Sequence, residues 1–189
     1  KVMGAVSLLE GGFDSVNTYD TGFVSVGFIQ FACLKDGAGS LGQVLRREKQ
    51  EAPEAFQSDF RQFGIDVAES AELTAVDPAT GSELRGAEAA MKIIEDKRLI
   101  AVFQRAGKLS QAFRTAQIRV AKAMYYPGND EVAIQVGGQT LSGPISTIVK
   151  SEAGMATLMD RKVNTGTLNP LPLVLALIAG ENRVQKFED

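Results

Sequence analysis

The sequence predicts a mainly helical α+β protein that folds as a single domain over residues 1–189. Two kinds of segment favour this class. Several segments place apolar residues at helical spacing, and shorter segments rich in β-branched and aromatic residues lie between turn residues. Hydrophobic residues make up 44% of the chain, which is enough to build a core.

The chain opens with a predicted helix, a loop and a strand. The apolar stretch over residues 2–9 predicts a helix with Glu10 at its end, because Gly11 and Gly12 supply the left-handed backbone of a helix exit. A polar loop follows. Residues 23–31 are rich in β-branched and aromatic side chains and predict a strand.

Helices dominate the middle of the chain. Ser40 is an N-cap candidate for a helix that presents Leu41 to the core. Further apolar patterns predict a helix over residues 53–63, in which Phe56, Phe60 and Phe63 at helical spacing are expected in the core. A hairpin over residues 73–85 and helices over residues 87–105 and 109–126 follow. In the helix over residues 87–105 we expect Met91, Ile94 and Leu99 on the buried side, and Gly107 predicts a break or bend before the next helix.

The last part of the chain predicts a hairpin and two helices. Gly137 and Gly138 suit a tight turn between strands over residues 132–141. Pro144 fits the first turn of a helix that runs to about Val163. Residues 172–183 form a strongly apolar helix that we expect to be buried and too short to span a bilayer.

The composition restricts the chemistry. The chain has no histidine, which excludes a Ser-His triad, a Cys-His dyad and the usual zinc sites, and we expect no metal and no cofactor. The one cysteine, Cys33, is expected to be a buried small hydrophobe. A net charge of −3 gives no indication of nucleic acid binding. Acid–base work must therefore fall on carboxylates, lysines or tyrosines.

Two carboxylates in the first stretch lie in contrasting settings. Glu10 leaves an apolar helix, which would raise its pKa, whereas Asp20 lies in a polar loop and would stay ionised. Glycoside hydrolysis needs such a pair, one carboxyl as acid and one as base or nucleophile. Ser25 follows on the strand and is a candidate for holding the attacking water. The alternative is that Asp20 is an ordinary turn residue and Glu10 an ordinary helix-end residue.

The stretch resembles the lysozyme superfamily. Glu10, a polar loop and then Gly-Phe-Ile-Gln over residues 27–30 resemble goose-type lysozymes and soluble lytic transglycosylases, in which a catalytic Glu ends a helix and Gly-Leu-Met-Gln follows. The pattern Asp20-x-Gly-x-x-Ser25-x-Gly-x-x-x-Phe31 is similar to the chitosanase branch. There the Asp is the general base and a Thr positions the water, which implies these roles for Asp20 and Ser25.

Departures from the chitosanase pattern bear on the substrate. Thr21 and Phe23 stand at positions where that pattern has glycine, and the loop between Glu10 and Asp20 is much shorter. Residues 13–20 look like lysozyme-like domains attached to cell-wall proteins. The resemblance therefore favours peptidoglycan as the substrate, with chitosan as the alternative.

The resemblance also implies a fold and a setting. It implies a lysozyme-like two-lobed fold with a small β element lining the cleft, and an inverting β-1,4-glycosidase that needs no cofactor. Candidate substrate-binding residues are Tyr19, Gln30 and Asp14. A lytic transglycosylase and a non-catalytic glycan-binding module stay as alternatives.

The setting of the protein follows from the same resemblance. No nucleic acid or membrane partner is expected. The chain opens within a helical pattern, which indicates a mature form or a domain of a longer protein. An enzyme acting on the cell wall would be exported to the periplasm or the extracellular space.

Overall fold

The computed structural model describes residues 1–4, 11–19, 23–34, 37–77 and 79–186. Its architecture confirms the mainly helical α+β class, with small antiparallel sheets between the helices. The chain divides into two compact units. The larger unit is Ser7–Lys122, and the smaller unit combines Lys1–Val6 with Ala123–Asp189. That residues 1–189 form a single domain stays a prediction.

The larger unit opens with a three-stranded antiparallel sheet and continues through two helices. Its first strands are β1 (Val16–Asn17), β2 (Val24–Val26) and β3 (Phe31–Cys33), paired in the order β1-β2-β3. Helices α1 (Ser40–Glu51) and α2 (Pro53–Asp59) follow, and then a 3₁₀ turn over Arg61–Phe63.

A second three-stranded antiparallel sheet and three helices complete the larger unit. The strands are β4 (Ile65–Val67), β5 (Leu73–Val76) and β6 (Glu83–Arg85). The helices are α3 (Gly86–Glu95), α4 (Lys97–Leu109) and α5 (Gln111–Tyr125), of which α5 belongs to this unit up to Lys122.

Phenylalanines form the centre of the core of the larger unit. The ring of Phe60 lies 5.7 Å from that of Phe56, 5.4 Å from Phe103 and 4.9 Å from Phe113, measured between centroids. All four side chains are buried. Aromatic pairs at these separations add to the free energy of simple area burial. The helical spacing of Phe56 and Phe60 therefore predicted the core correctly, whereas Phe63 is partly exposed on the 3₁₀ turn.

The smaller unit is built on the predicted hairpin. Strands β7 (Glu131–Val136) and β8 (Gln139–Pro144) pair through Gly137 and Gly138, which both take positive φ. Helices α6 (Ile145–Ile148), α7 (Glu152–Thr165) and α8 (Leu171–Glu181) follow. Its core contains the buried residues Val132, Ile134, Leu141, Ile145, Met155 and Ala179.

Several local predictions are wrong. Residues 23–31 form a hairpin between β2 and β3 rather than one strand, because the backbone turns over residues 27–30. Ser40 is the first residue of α1 instead of its N-cap, and its hydroxyl accepts a hydrogen bond from the backbone N–H of Ala32 at 3.1 Å. Pro144 ends β8, and the next helices are α6 and α7.

The fourth error concerns the helix predicted over residues 87–105. It has an additional break at Asp96, whose side chain caps α4 by accepting from the backbone N–H of Arg98 at 3.1 Å, and α4 then runs through Gly107 to end at Leu109. The buried face of α3 also differs from the prediction: Ile93 is buried and Met91 is exposed.

The apolar C-terminal helix was expected to be buried, and this prediction is also wrong. Only Ala179 of α8 is buried, whereas Leu173, Val174, Leu177 and Ile178 are exposed. The helix packs one narrow side, through Leu171, Leu175 and Ala176, against the core of the smaller unit. Among the residues that the structure describes, each helix is too short or too polar to cross a bilayer.

A buried carboxyl group links α1 to α2. The Glu48 side chain is 1% exposed, and neither of its oxygens accepts a hydrogen bond from a described residue. Burial, together with the smaller effects of hydrogen bonding and charge from the neighbouring Asp59 carboxylate, raises the pKa of Glu48 from 4.5 to about 9. Asp59 in turn lies 3.4 Å from Nη2 of Arg105. Glu48 is therefore protonated in the folded protein at neutral pH, close to the Asp59 carboxylate.

This protonation makes stability depend on pH. Below pH 4.5 both folded and unfolded chains hold the proton, whereas between pH 4.5 and 9 only the folded chain does, so stability falls as the pH rises. Each pH unit above 4.5 lowers the free energy of unfolding by about 1.4 kcal/mol. At pH 7 the protein is therefore about 3 kcal/mol less stable than it is below pH 4.5. We expect Glu48→Gln, whose amide can donate to Asp59 without a proton, to recover much of this at pH 7.

The measurement is urea unfolding at a series of pH values. The control is Glu88→Gln, which removes an exposed carboxylate from α3. The difference in unfolding free energy between Glu48→Gln and wild type should grow from pH 4.5 to pH 9. A difference that stays constant across this range would show that Glu48 does not keep its proton on folding.

Candidate active site

The first sheet has one apolar face and one polar face. Antiparallel pairing places Val16 opposite Val26 and Val26 opposite Phe31 on one side. On the other side Ser25 lies opposite both Asn17 and Ala32. Because strand side chains alternate between faces, the register fixes Ser25 and Asn17 on the same face.

The loop that enters β1 is closed on itself. The backbone N–H of Gly12 donates to the Ser15 hydroxyl at 2.8 Å, and the N–H of Ser15 donates to the Gly12 carbonyl at 3.1 Å. Gly11 has a φ of 115°, and a Cβ there would lie 2.2 Å from the Ser15 hydroxyl. The residues directly after Glu10 are therefore held in one turn that requires glycine.

The turn between β2 and β3 is fixed by its own hydrogen bonds. The N–H of Gln30 donates to the Gly27 carbonyl at 3.1 Å, and the Gln30 side-chain amide donates to the same carbonyl at 3.0 Å. Gln30 has a φ of 54° and Gly27 a φ of 87°. Beneath the turn the Phe28 ring lies 5.0 Å from that of Phe13.

Gln117 of α5 connects the loop and the turn. Its side chain is fully buried; its amide nitrogen donates to the Phe13 carbonyl at 3.1 Å, and its oxygen accepts from the N–H of Phe28 at 3.4 Å. A Cβ at Gly27 would lie 2.1 Å from that oxygen. One helix side chain thus ties together the two segments that flank the polar loop.

The same loop also packs directly against the backbone of helix α4. A Cβ at Gly107 would lie 2.1 Å from the Phe13 carbonyl oxygen and 2.5 Å from the Cα of Asp14. Gly107 therefore lies inside the helix because the loop packs against the helix at that point.

Tyr19 and Asp14 both face solvent. The Tyr19 side chain is 90% exposed, and its backbone N–H donates to Oδ1 of Asn17 at 3.0 Å. This exposure excludes packing in the core as the role of the ring and leaves its face open for a sugar. Asp14 is exposed at the closed turn, and no described residue donates a hydrogen bond to its carboxylate.

Of the three predicted catalytic residues, Ser25 is the one that the structure describes. Ser25 is 2% exposed and lies in the central strand of the sheet. Its role in holding water stays a prediction. Glu10 and Asp20, the predicted acid and base, lie outside the described residues. In the chain Glu10 directly precedes the closed turn, and Asp20 lies between β1 and β2.

Sequence reasoning missed two residues that shape this region. Asn17 shares the polar face with Ser25 and accepts from Tyr19, and period-2 alternation between the strands would have found it. The sequence pattern predicts a helix break or bend at Gly107. A glycine within a regular apolar helical pattern is better explained by close approach of another backbone, as the structure shows here.

The bridging role of Gln117 can be measured. Gln117→Leu keeps much of the side-chain volume but leaves the Phe13 carbonyl and the Phe28 N–H without their partner. We expect a loss of about 1–3 kcal/mol in unfolding free energy, the cost of burying unpaired polar groups. Urea unfolding measures it, with Gln104→Leu at an exposed position of α4 as the control. Equal stability of the two variants would contradict the bridging role.

Comparisons with known proteins found no relative of this chain. No family model matches the chain, and neither a curated protein nor a solved structure gives a match.

Proposed function

We propose that the protein is a glycoside hydrolase that cleaves β-1,4 linkages in an amino-sugar polymer, with peptidoglycan as the substrate. Glu10 is the general acid and Asp20 the general base. The observation that carries the proposal is the order of features over residues 10–31: a carboxylate, a closed glycine turn, a second carboxylate between two strands, and the Gly-Phe-Ile-Gln turn. A lysozyme-like two-lobed fold is part of the same proposal.

The proposal is supported by hydrogen bonds that hold two of the described turns in fixed positions. An acid and a base must be held in fixed relation to the scissile bond, and misplacement reduces the rate steeply. Here the turn after Glu10 and the turn at residues 27–30 are fastened to α5 through Gln117. The ring of Tyr19, the residue before Asp20, is exposed to solvent where it can stack on a sugar.

The reaction assigns one step to each carboxyl group. Glu10 donates its proton to the glycosidic oxygen as the bond to the anomeric carbon breaks. Asp20 takes a proton from a water molecule, which attacks the anomeric carbon from the opposite face and inverts its configuration. The Ser25 hydroxyl is assigned to orienting that water. The net change is addition of one water across the bond.

Parallel digestion tests the substrate. Purified protein is incubated with peptidoglycan and with chitosan, and soluble fragments are analysed by mass spectrometry. Release of fragments from peptidoglycan alone supports the proposal, and release from chitosan alone identifies a chitosanase. Binding to either polymer without release of fragments would indicate a glycan-binding module in place of an enzyme.

A further inference from the structure

The larger unit contains a cavity that is separate from the candidate active site. Its volume is about 900 Å³, within the range of small-molecule sites. It lies among the 3₁₀ turn, strands β5 and β6, and helices α3 and α4. The apolar part of its wall includes Phe63, Val76, Leu84, Leu99 and Val102.

The cavity and the loop over residues 13–14 occupy opposite sides of α4. Arg98, Val102 and Arg105 line the cavity at intervals of four and three residues, so they share one helix face. Gly107, which contacts the loop, lies two residues beyond Arg105 and hence about 200° around the helix axis. A ligand in the cavity would therefore not touch the loop.

The carboxylates of the lining are already satisfied. Oδ1 and Oδ2 of Asp96 accept from Arg98 at 2.9 and 2.7 Å, and these bonds lower the pKa of Asp96 to about 2. Asp77 accepts from the backbone N–H of Ala79 at 2.8 Å, which lowers the pKa of Asp77. Neither group needs a cationic ligand.

Two cationic side chains of the cavity wall, Lys92 and Arg105, have N–H groups that are not used in hydrogen bonds with described residues. Lys92 lines the cavity and makes no hydrogen bond or close ion pair with any residue that the structure describes; its charge contributes from a longer distance to the lowered pKa of Asp77 and Asp96. Arg105 donates through Nη2 to the carbonyls of Ser58 and Asp59, both at 3.0 Å. Within the described ranges no acceptor is bonded to its Nη1. The unmet hydrogen-bonding capacity of the cavity is therefore cationic.

We propose that this cavity binds a small monoanion with an apolar body, of the kind represented by an alkyl carboxylate. The apolar body lies against Leu84, Leu99 and Val102. The carboxylate head pairs with the Lys92 ammonium at the edge of the cavity. Mostly apolar walls with a few polar groups that orient one end of the ligand are typical of such sites. This site is independent of the proposed glycosidase activity.

The test compares three probes of equal chain length on the intact chain by isothermal titration calorimetry. Octanoate should bind, octan-1-ol should bind more weakly, and octylammonium should bind most weakly. Octylammonium or octan-1-ol binding as tightly as octanoate would overturn the choice of an anion, and absence of octanoate binding would overturn the proposal as a whole.

Two variants locate the site. Ala101 is exposed and lines the cavity, so Ala101→Trp should fill the cavity and abolish octanoate binding; Ala87→Trp, exposed on α3 outside the lining, is the matched control. Lys92→Gln should weaken octanoate about two- to fivefold, as expected for an exposed ion pair, and leave octan-1-ol unchanged. Lys108→Gln is its control. Wild-type affinity in Ala101→Trp or in Lys92→Gln would contradict the assignment.

Discussion

Replacement of Glu10 by glutamine is expected to lower the rate of glycan cleavage by a factor of about 10²–10⁴, the usual contribution of a general acid. Glutamine keeps the size and the hydrogen-bonding atoms of glutamate but has no proton to give to the leaving oxygen. Because the leaving group is a sugar alkoxide, its departure without a proton is slow. The measurement is the initial rate of reducing-end release from peptidoglycan.

The control for Glu10→Gln is again Glu88→Gln, which makes the same chemical change at an exposed position of α3. Both variants should unfold at the temperature of the wild type. A Glu10→Gln variant that is folded and retains wild-type activity would show that the proton comes from another group, and the acid assignment would be wrong.

Replacement of Asp20 by asparagine is expected to remove nearly all hydrolytic activity, with a loss of about 10² or more. An inverting enzyme needs a base to take the proton from water, and the amide of asparagine does not accept it. A lytic transglycosylase, which closes the sugar on itself, can work with Glu10 alone and should lose little. The initial rates of Asp20→Asn and wild type on the same polymer distinguish the two reactions.

The stereochemistry of the product is a second readout for Asp20. In inverting enzymes the two carboxyl groups lie roughly 6.5–9.5 Å apart, and in retaining enzymes roughly 5–5.5 Å. Proton NMR of the first sugar product should show the inverted anomer. A retained anomer would make Asp20 a nucleophile instead of a base, even if Asp20→Asn is inactive.

Local signals predicted the elements that depend on local chemistry. The hairpin of the smaller unit followed from Gly137 and Gly138, because positive φ at two successive residues is the requirement of a tight turn. The aromatic core followed from Phe56 and Phe60 at helical spacing. Cys33 is buried, as its place beside an apolar strand predicted.

Predictions failed where a distant contact decides the structure. Gly107 predicted a helix break or bend, but it lies inside α4, which ends at Leu109, and a further break at Asp96 depends on the side chain that caps α4. Helix α8 is as apolar as a buried helix, yet most of its apolar side chains are exposed, since composition does not show how much partner surface a helix finds. The depth of Glu48 was also hidden, because its neighbours Arg47 and Lys49 made that face look solvated.

In the candidate site, too, the sequence predicted local features but missed those that depend on distant contacts. The sequence indicated the two carboxylates, the glycines after Glu10, and Tyr19 as a candidate for substrate binding, from their types and spacing. It gave no indication that Gln117 joins Phe13 to Phe28 through contacts between residues about a hundred positions apart. The cavity next to α4 gave no sequence signal, because its wall comes from four separate segments.

The most direct test of the glycosidase assignment is digestion in water labelled with oxygen-18. Wild-type protein is incubated with peptidoglycan and, separately, with chitosan, and the fragments are weighed by mass spectrometry. Hydrolysis places one labelled oxygen at each new reducing end, and we predict this from peptidoglycan with wild type and not with Glu10→Gln. Intact polymer, or fragments that contain no labelled oxygen, would contradict a hydrolase built on Glu10 and Asp20.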